Sequence, residues 1–127
     1  KLKYVANLLV TIHNLSTAEA LVFAEKAGID PVTVLDVLGD SAAASRMLQV
    51  RGPMMVAHRY EPATMKLEVY QKDIEIIDAF AKSQACPTPL FSASIPYYTR
   101  ALAEGRGKED TAAIVTVLRE AAGLKVE

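Results

Sequence analysis

Four polar side chains recur along the apolar opening segment KLKYVANLLVTIHN: Lys3, Asn7, Thr11 and Asn14. At about 100° per residue, with Lys3 set at zero, Asn14 falls near 20°, Asn7 near 40° and Thr11 near 80°. All four share one side of a helix. An amine at the head of such a row can donate or take a proton, and carboxamides and hydroxyls supply short hydrogen-bonding groups at fixed positions. Two readings stand, a solvated face and a face turned to a ligand. Solvated helix faces favour Glu, Lys, Gln and Arg, whereas Asn and Thr are poor helix formers. The residue types speak for the ligand face, while the pattern alone leaves both open.

A second constellation lies in YQKDIEIIDAF. On a helical wheel Val69, Tyr70, Ile76, Ile77 and Phe80 form a broad apolar face. Asp73 falls within that face and Lys72 on its flank. A carboxylate among apolar neighbours is unfavourable unless it is paired or hydrogen-bonded. Asp73 is therefore either half of a structural ion pair or a polar group held ready for a ligand. Lys72 by itself reads as a surface lysine lying along the helix.

These residues need helices to hold them, and the punctuation of the chain supplies six or seven. One long helix is expected from residue 2 to about residue 27, ended by Gly28. Asp30 caps a short helix that starts at Pro31 and closes at Gly39. Ser41 is the expected cap of a third helix reaching about Val50, broken by Gly52-Pro53. A helical turn and a loop follow from Met54 to Pro62, then a helix over 63–84. Pro87-Thr88-Pro89 is a stiff connector to a helix ending near Glu104, kinked or restarted at Pro96. After Gly105-Arg106-Gly107, Asp110 caps a last helix carrying Ile114, Val115, Val117 and Leu118. No stretch alternates like a strand bounded by hairpin turns. The expected fold is all-α, a bundle around the long first helix, most of whose sides should be buried in the middle of the domain or of an oligomer.

Composition narrows the function classes. With 127 residues, the chain can bury one real core. A formal net charge of −1 offers no electrostatic case for nucleic acid or an anionic membrane surface. Cys86 is the only cysteine, which excludes an internal disulfide and suits a reducing, cytoplasmic setting. His13, His58 and Cys86 lack metal-ligand spacing, so no metal site is expected. The apolar run Leu8–Val10 falls far short of the roughly 20 residues that span a bilayer. The chain begins at Lys1 already within a helical pattern and reads as a piece of a longer polypeptide.

Among the remaining candidates, His13 lies off the polar row and reads as a packing residue, and His58 as solvent-facing. Met47, Met54, Met55 and Met65 read as core or interface filler. Tyr97-Tyr98, with the apolar composition, suggests an interface in a homodimer or homotetramer.

Taken in order, Lys3-x-x-x-Asn7, Thr17-Ala18-Glu19-Ala20, Gly28-Ile29-Asp30, Lys72-Asp73-Ile74, Pro87-x-Pro89 and Gly105-x-Gly107-x-x-Asp110-Thr111-Ala112 resemble the C-terminal domain of the β-hydroxyacid dehydrogenase family. That family includes 3-hydroxyisobutyrate dehydrogenase and tartronate semialdehyde reductase, and the fold is that of the C-terminal domain of 6-phosphogluconate dehydrogenase-like two-domain enzymes. The resemblance covers essentially the whole chain. It implies an enzyme that uses NAD or NADP to interconvert a short 3-hydroxy acid and its semialdehyde or keto form. Lys3 matches the family's catalytic lysine, which exchanges a proton with the substrate oxygen. Asn7 matches a substrate-binding asparagine, Asp73 a carboxylate at the substrate end of the cleft, and Lys72 a lysine that reaches the cofactor.

Two positions depart from the family pattern: Ala6 stands where many members have the first of two asparagines, and Met65 where phenylalanine is frequent. Both bear on substrate fit. Imine-reducing relatives generally lack the lysine, so Lys3 favours alcohol–carbonyl chemistry. No GxGxxG follows a strand, so the dinucleotide fingerprint and its Rossmann domain are expected outside residues 1–127, and this fragment alone is expected to be inactive. Two other readings stay open: a non-catalytic helical dimerisation module, and a dehydrogenase of a larger threonate- or phosphogluconate-like acid. The last would need Arg46, Arg51 and Arg59 to converge at the substrate end.

Overall fold

Helix α1 runs from Leu2 to Lys26 and packs against every other helix of the domain. It contains neither Gly nor Pro, and it ends where Gly28 turns left-handed at φ +82°. There the Ile29 amide closes back on the Ala24 carbonyl at 2.9 Å. The computed structural model describes residues 1–126. Around α1 stand α2 (Pro31–Leu38), α3 (Arg46–Ala57), α4 (Leu67–Ser83), α5 (Pro89–Ala103) and α6 (Ile114–Ala121), the last entered through a single 3₁₀ turn, Thr111–Ala113. Among the described residues the only β pairing is an isolated bridge between Lys66 and Asp110. The all-α architecture matches the sequence expectation.

Several boundaries differ, each for a local reason. The cap of α3 is Ser45, whose hydroxyl accepts the Leu48 amide at 3.0 Å. Ser41 instead closes the turn after α2, bonding the Leu38 carbonyl. Nor does Gly52-Pro53 break α3. Proline removes one intrahelical bond, and Gly52 lies where a Cβ would meet a Leu35 methyl at 2.7 Å. The glycine lets α2 and α3 approach closely, and packing carries the helix through. Helix α5 likewise passes Pro96 without restarting.

Helix α4 starts at Leu67 rather than Ala63 because the preceding amides are used elsewhere. Thr64 and Met65 donate theirs to the Asp110 carboxylate. The first amides of α4, on Leu67 and Glu68, bond the Glu109 and Gly107 carbonyls, each at 2.9 Å. The Gly105–Gly107 loop is thus a cap for α4 in this fold.

The core contains Met55, Leu67, Ile74, Phe91, Tyr98 and Ile114, all buried. Tyr98 therefore belongs to the interior and not to an outer interface, while its neighbour Tyr97 is exposed. His58 is half-buried, contrary to the solvent-facing expectation, because it closes α3 in the left-handed conformation. That turn directs it toward a small cavity beside Leu21, Met55 and the Glu25–Arg119 ion pair.

Toward its N-terminal end the long helix departs from the usual amphipathic pattern. Leu2, Val5 and Leu9, which lie at about 200–260° on the wheel started at Lys3, are 82%, 57% and 47% exposed. Thr11, Asn14 and Thr17 are buried. Leu8, Val10, Ile12 and Leu15 of α1 pack against the core, while this outer row is uncovered in the single chain. By length and composition α1 passes for a bilayer-crossing helix, but the Thr11 hydroxyl and the Asn14 amide nitrogen are hydrogen-bonded inside the bundle, while Asn14 Oδ1 has no partner among the described residues.

Candidate active site

At the N-terminal end of α1 a groove of about 370 Å³ opens between α1 and α4. Lys3, Tyr4 and Asn7 line it from α1, with Lys1 at the chain start, and Asp73, Ile76 and Ile77 line it from α4. The helical repeat accounts for both sets: Lys3 and Asn7 are four residues apart, and Ile76 and Ile77 follow Asp73 by three and four. Three of the four sequence candidates, Lys3, Asn7 and Asp73, thus meet at one site. Lys72 does not line the groove and is exposed on the adjoining flank of α4. Asp73 is half-buried, and among the described residues it closes no ion pair.

The groove combines an amine, a carboxamide and a carboxylate with a wall of isoleucine and tyrosine. Ligand sites range over roughly 300–1,000 Å³, and this one lies at the small end. Its aromatic corner is built by Tyr4 against Phe80, ring centres 5.1 Å apart, with the Lys1 ammonium 5.9 Å from the Phe80 ring. Tyr4, Ile76 and Ile77 were missed from sequence, although their spacing from Lys3 and Asp73 was a usable signal.

Below the groove, a row of buried hydrogen bonds follows the inner side of α1. The Asn7 carbonyl accepts from the Thr11 hydroxyl at 2.7 Å and from the Tyr70 hydroxyl of α4 at 2.8 Å. Those two hydroxyls are 2.6 Å apart. One turn deeper the Tyr98 hydroxyl of α5 donates to the Thr11 carbonyl at 2.8 Å. The Asn14 carboxamide donates to the Tyr98 oxygen at 3.1 Å and to the Thr111 carbonyl at 3.0 Å. Burial pushes the ionisation of Tyr70 upward, outweighing the opposing hydrogen bond from Thr11, with Asp73 adding to the rise and Arg51 opposing it. Burial likewise raises that of Tyr98, against the Asn14 bond. Both remain neutral hydroxyl donors at ordinary pH.

The row ends at a buried ion pair. Arg51 Nε stands 3.0 Å from Asp110, whose side chain is fully buried, and 3.2 Å from the Thr111 hydroxyl. Asp110 also accepts from the Ala112 amide, as the expected cap, and from Thr64. Arg51 is thereby committed to the fold. Arg46 bonds Gln49 on the exposed side of α3, Arg59 is exposed, and none of the three arginines lines the groove.

The comparisons with known proteins agree with this architecture. Residues 1–118 match the family model described as NAD-binding of NADP-dependent 3-hydroxyisobutyrate dehydrogenase. The chain belongs to that family. It corresponds to the C-terminal domain of the β-hydroxyacid dehydrogenases, which bind NAD(P). It is 34% identical over 115 residues to L-threonate dehydrogenase of Haemophilus influenzae, covering 91% of this chain and 38% of that protein. It is 33% identical over 123 residues to 2-hydroxy-3-oxopropionate reductase of Escherichia coli, covering 96% of this chain and 42% of that protein. The crystal structure of 3-hydroxyisobutyrate dehydrogenase from Salmonella typhimurium superposes with a TM-score of 0.86 at 30% identity, covering 91% of this chain and 40% of that one. This dehydrogenase domain spans about two-fifths of the length of the relatives it matches.

Proposed function

We propose that this domain completes the substrate site of an NAD(P)-dependent oxidoreductase that interconverts a short-chain 3-hydroxy acid and its semialdehyde or keto form. The observation that carries this reading is the convergence of Lys3, Asn7 and Asp73 on one small groove at the end of the long helix. The nicotinamide cofactor, when bound, supplies the hydride acceptor or donor. The exposed ammonium of Lys72 is the group of this chain offered to it, and the remaining contacts belong to the Rossmann domain expected outside these residues.

Oxidation of the hydroxy acid removes a hydride from carbon and a proton from the hydroxyl oxygen. Lys3, as the free amine, takes that proton while the carbonyl forms. In the reverse direction its ammonium returns the proton to the carbonyl oxygen. The Asn7 carboxamide orients the substrate by hydrogen bonding, and Asp73 marks the polar end of the α4 wall. Ile76, Ile77 and Tyr4 exclude water on the apolar side. Without the cofactor's own domain, this chain by itself is inactive in this reading.

The test is Lys3→Ala in the full-length enzyme, assayed in both directions. A drop in kcat of about 10²–10⁴ with unchanged unfolding temperature supports the assignment, whereas wild-type activity removes it. The likeness to L-threonate dehydrogenase favours a second reading, a longer polyhydroxy acid. Turnover of 3-hydroxyisobutyrate, L-threonate and 2-hydroxy-3-oxopropionate by the full-length protein separates the two.

A further inference from the structure

Lys3 and Asn7 must keep a fixed place opposite Asp73 for the groove to act as one site.

The bonds that fix this place lie one to two turns further in. The Asn7 carbonyl would ordinarily be satisfied by the Thr11 amide of its own helix. Here it also receives the hydroxyls of Thr11 and Tyr70. The three oxygens form a closed triangle of 2.6–2.8 Å contacts, served by only two hydroxyl protons. The triangle is almost wholly dry: Thr11 is 0% exposed and Tyr70 4%. Tyr70 stands on α4, three residues before Asp73. One hydroxyl thus joins the backbone that carries Asn7 to the helix turn that carries Asp73.

Resting on the proposed function above, we infer that Tyr70 and Thr11 are positioning residues for the Lys3–Asn7 segment, setting the register of α1 against α4 at the reacting end. Neither side chain lines the groove, so each acts through the backbone of Asn7. Loss of the clamp lets the first two turns shift, and displacements on the ångström scale lower the rate without necessarily weakening substrate binding.

The experiment uses the full-length enzyme with Tyr70→Phe, which keeps the ring, Thr11→Val, which keeps the shape, and Thr11→Ser, which keeps the hydroxyl. Thr116→Val is the control, since that buried hydroxyl bonds the Ala113 carbonyl on α6, away from the groove. Tyr70→Phe and Thr11→Val are expected to lower kcat about 10- to 100-fold, with KM changed less than about twofold. Thr11→Ser should restore kcat, and Thr116→Val should lower only the unfolding temperature. Equal kcat for wild type, Thr11→Val and Tyr70→Phe overturns the inference, as does an equal loss in Thr116→Val. If Tyr70→Phe does not fold, the Thr11 pair decides alone. Should Lys3→Ala remain fully active, the functional reading fails first; an inactive Lys3→Ala beside a normal Thr11→Val defeats the clamp alone.

Discussion

The two halves of the polar row on α1 share one side of one helix and meet opposite surroundings. Lys3 and Asn7 border an open groove, whereas Thr11 and Asn14 are sealed among Tyr70, Tyr98 and Thr111. In the outer half the side chains of Lys3 and Asn7 face the groove. In the inner half the Thr11 hydroxyl meets Tyr70 of α4 as well as Asn7 of its own helix, and the Asn14 amide bonds Tyr98 and Thr111, so the groups hold helices together. A buried polar group is tolerable only when bonded. Asn and Thr are therefore as informative about neighbouring helices as about ligands.

The comparison can be broken most sharply at its ends. Lys3→Ala should remove about 10²–10⁴ of kcat in the full-length enzyme while leaving urea denaturation unchanged. Asp110→Ala should do the converse. It strands the Arg51 guanidinium and frees the Thr64 and Ala112 amides, and is expected to lower stability by about 3–5 kcal/mol, read from the denaturant midpoint. Asn14→Ala should cost less, about 1–3 kcal/mol, because it leaves the Thr111 carbonyl without that donor. Activity per folded molecule should hardly change.

The smallest effect concerns alkaline pH. Burial raises the ionisation of Tyr70 and Tyr98 in the folded state. Below the usual phenol value of about 10 both states carry the proton, and the tyrosines confer no pH dependence. Above it the unfolded chain releases protons that the folded chain keeps, so stability falls as pH rises toward the folded values. Thermal unfolding followed from pH 9 to 11 should show this decline, and Tyr98→Phe should reduce its slope. A slope unchanged in that variant would assign the alkaline loss to other groups.

How much could be read beforehand differs between the fold and the site. The long helix, the Asp30-Pro31 start of α2, the Gly28 stop and the Asp110 cap follow from local backbone chemistry, and each is where the residues put it. Gly52-Pro53 and Pro96 were misleading because a local rule prices one lost bond. It cannot weigh that bond against the packing of a whole helix. The start of α4 was misplaced for a related reason: the amides of Thr64 and Met65 are taken by a carboxylate more than forty residues away.

By itself, the sequence determined the all-α class, the family, and the alignment of Lys3, Asn7, Thr11 and Asn14 on one side of α1. These depend on residue type and on the fixed turn of a helix. Only the tertiary structure decided where that side faces. It turned Thr11 and Asn14 inward and left Leu2, Val5 and Leu9 outward, and it brought Asp73 to Lys3 while Lys72 stayed apart. It also bound Arg51 to Asp110. The reason is physical: hydrogen-bond partners 59 to 97 residues apart in the chain decide which polar groups can be buried, and no local pattern records them.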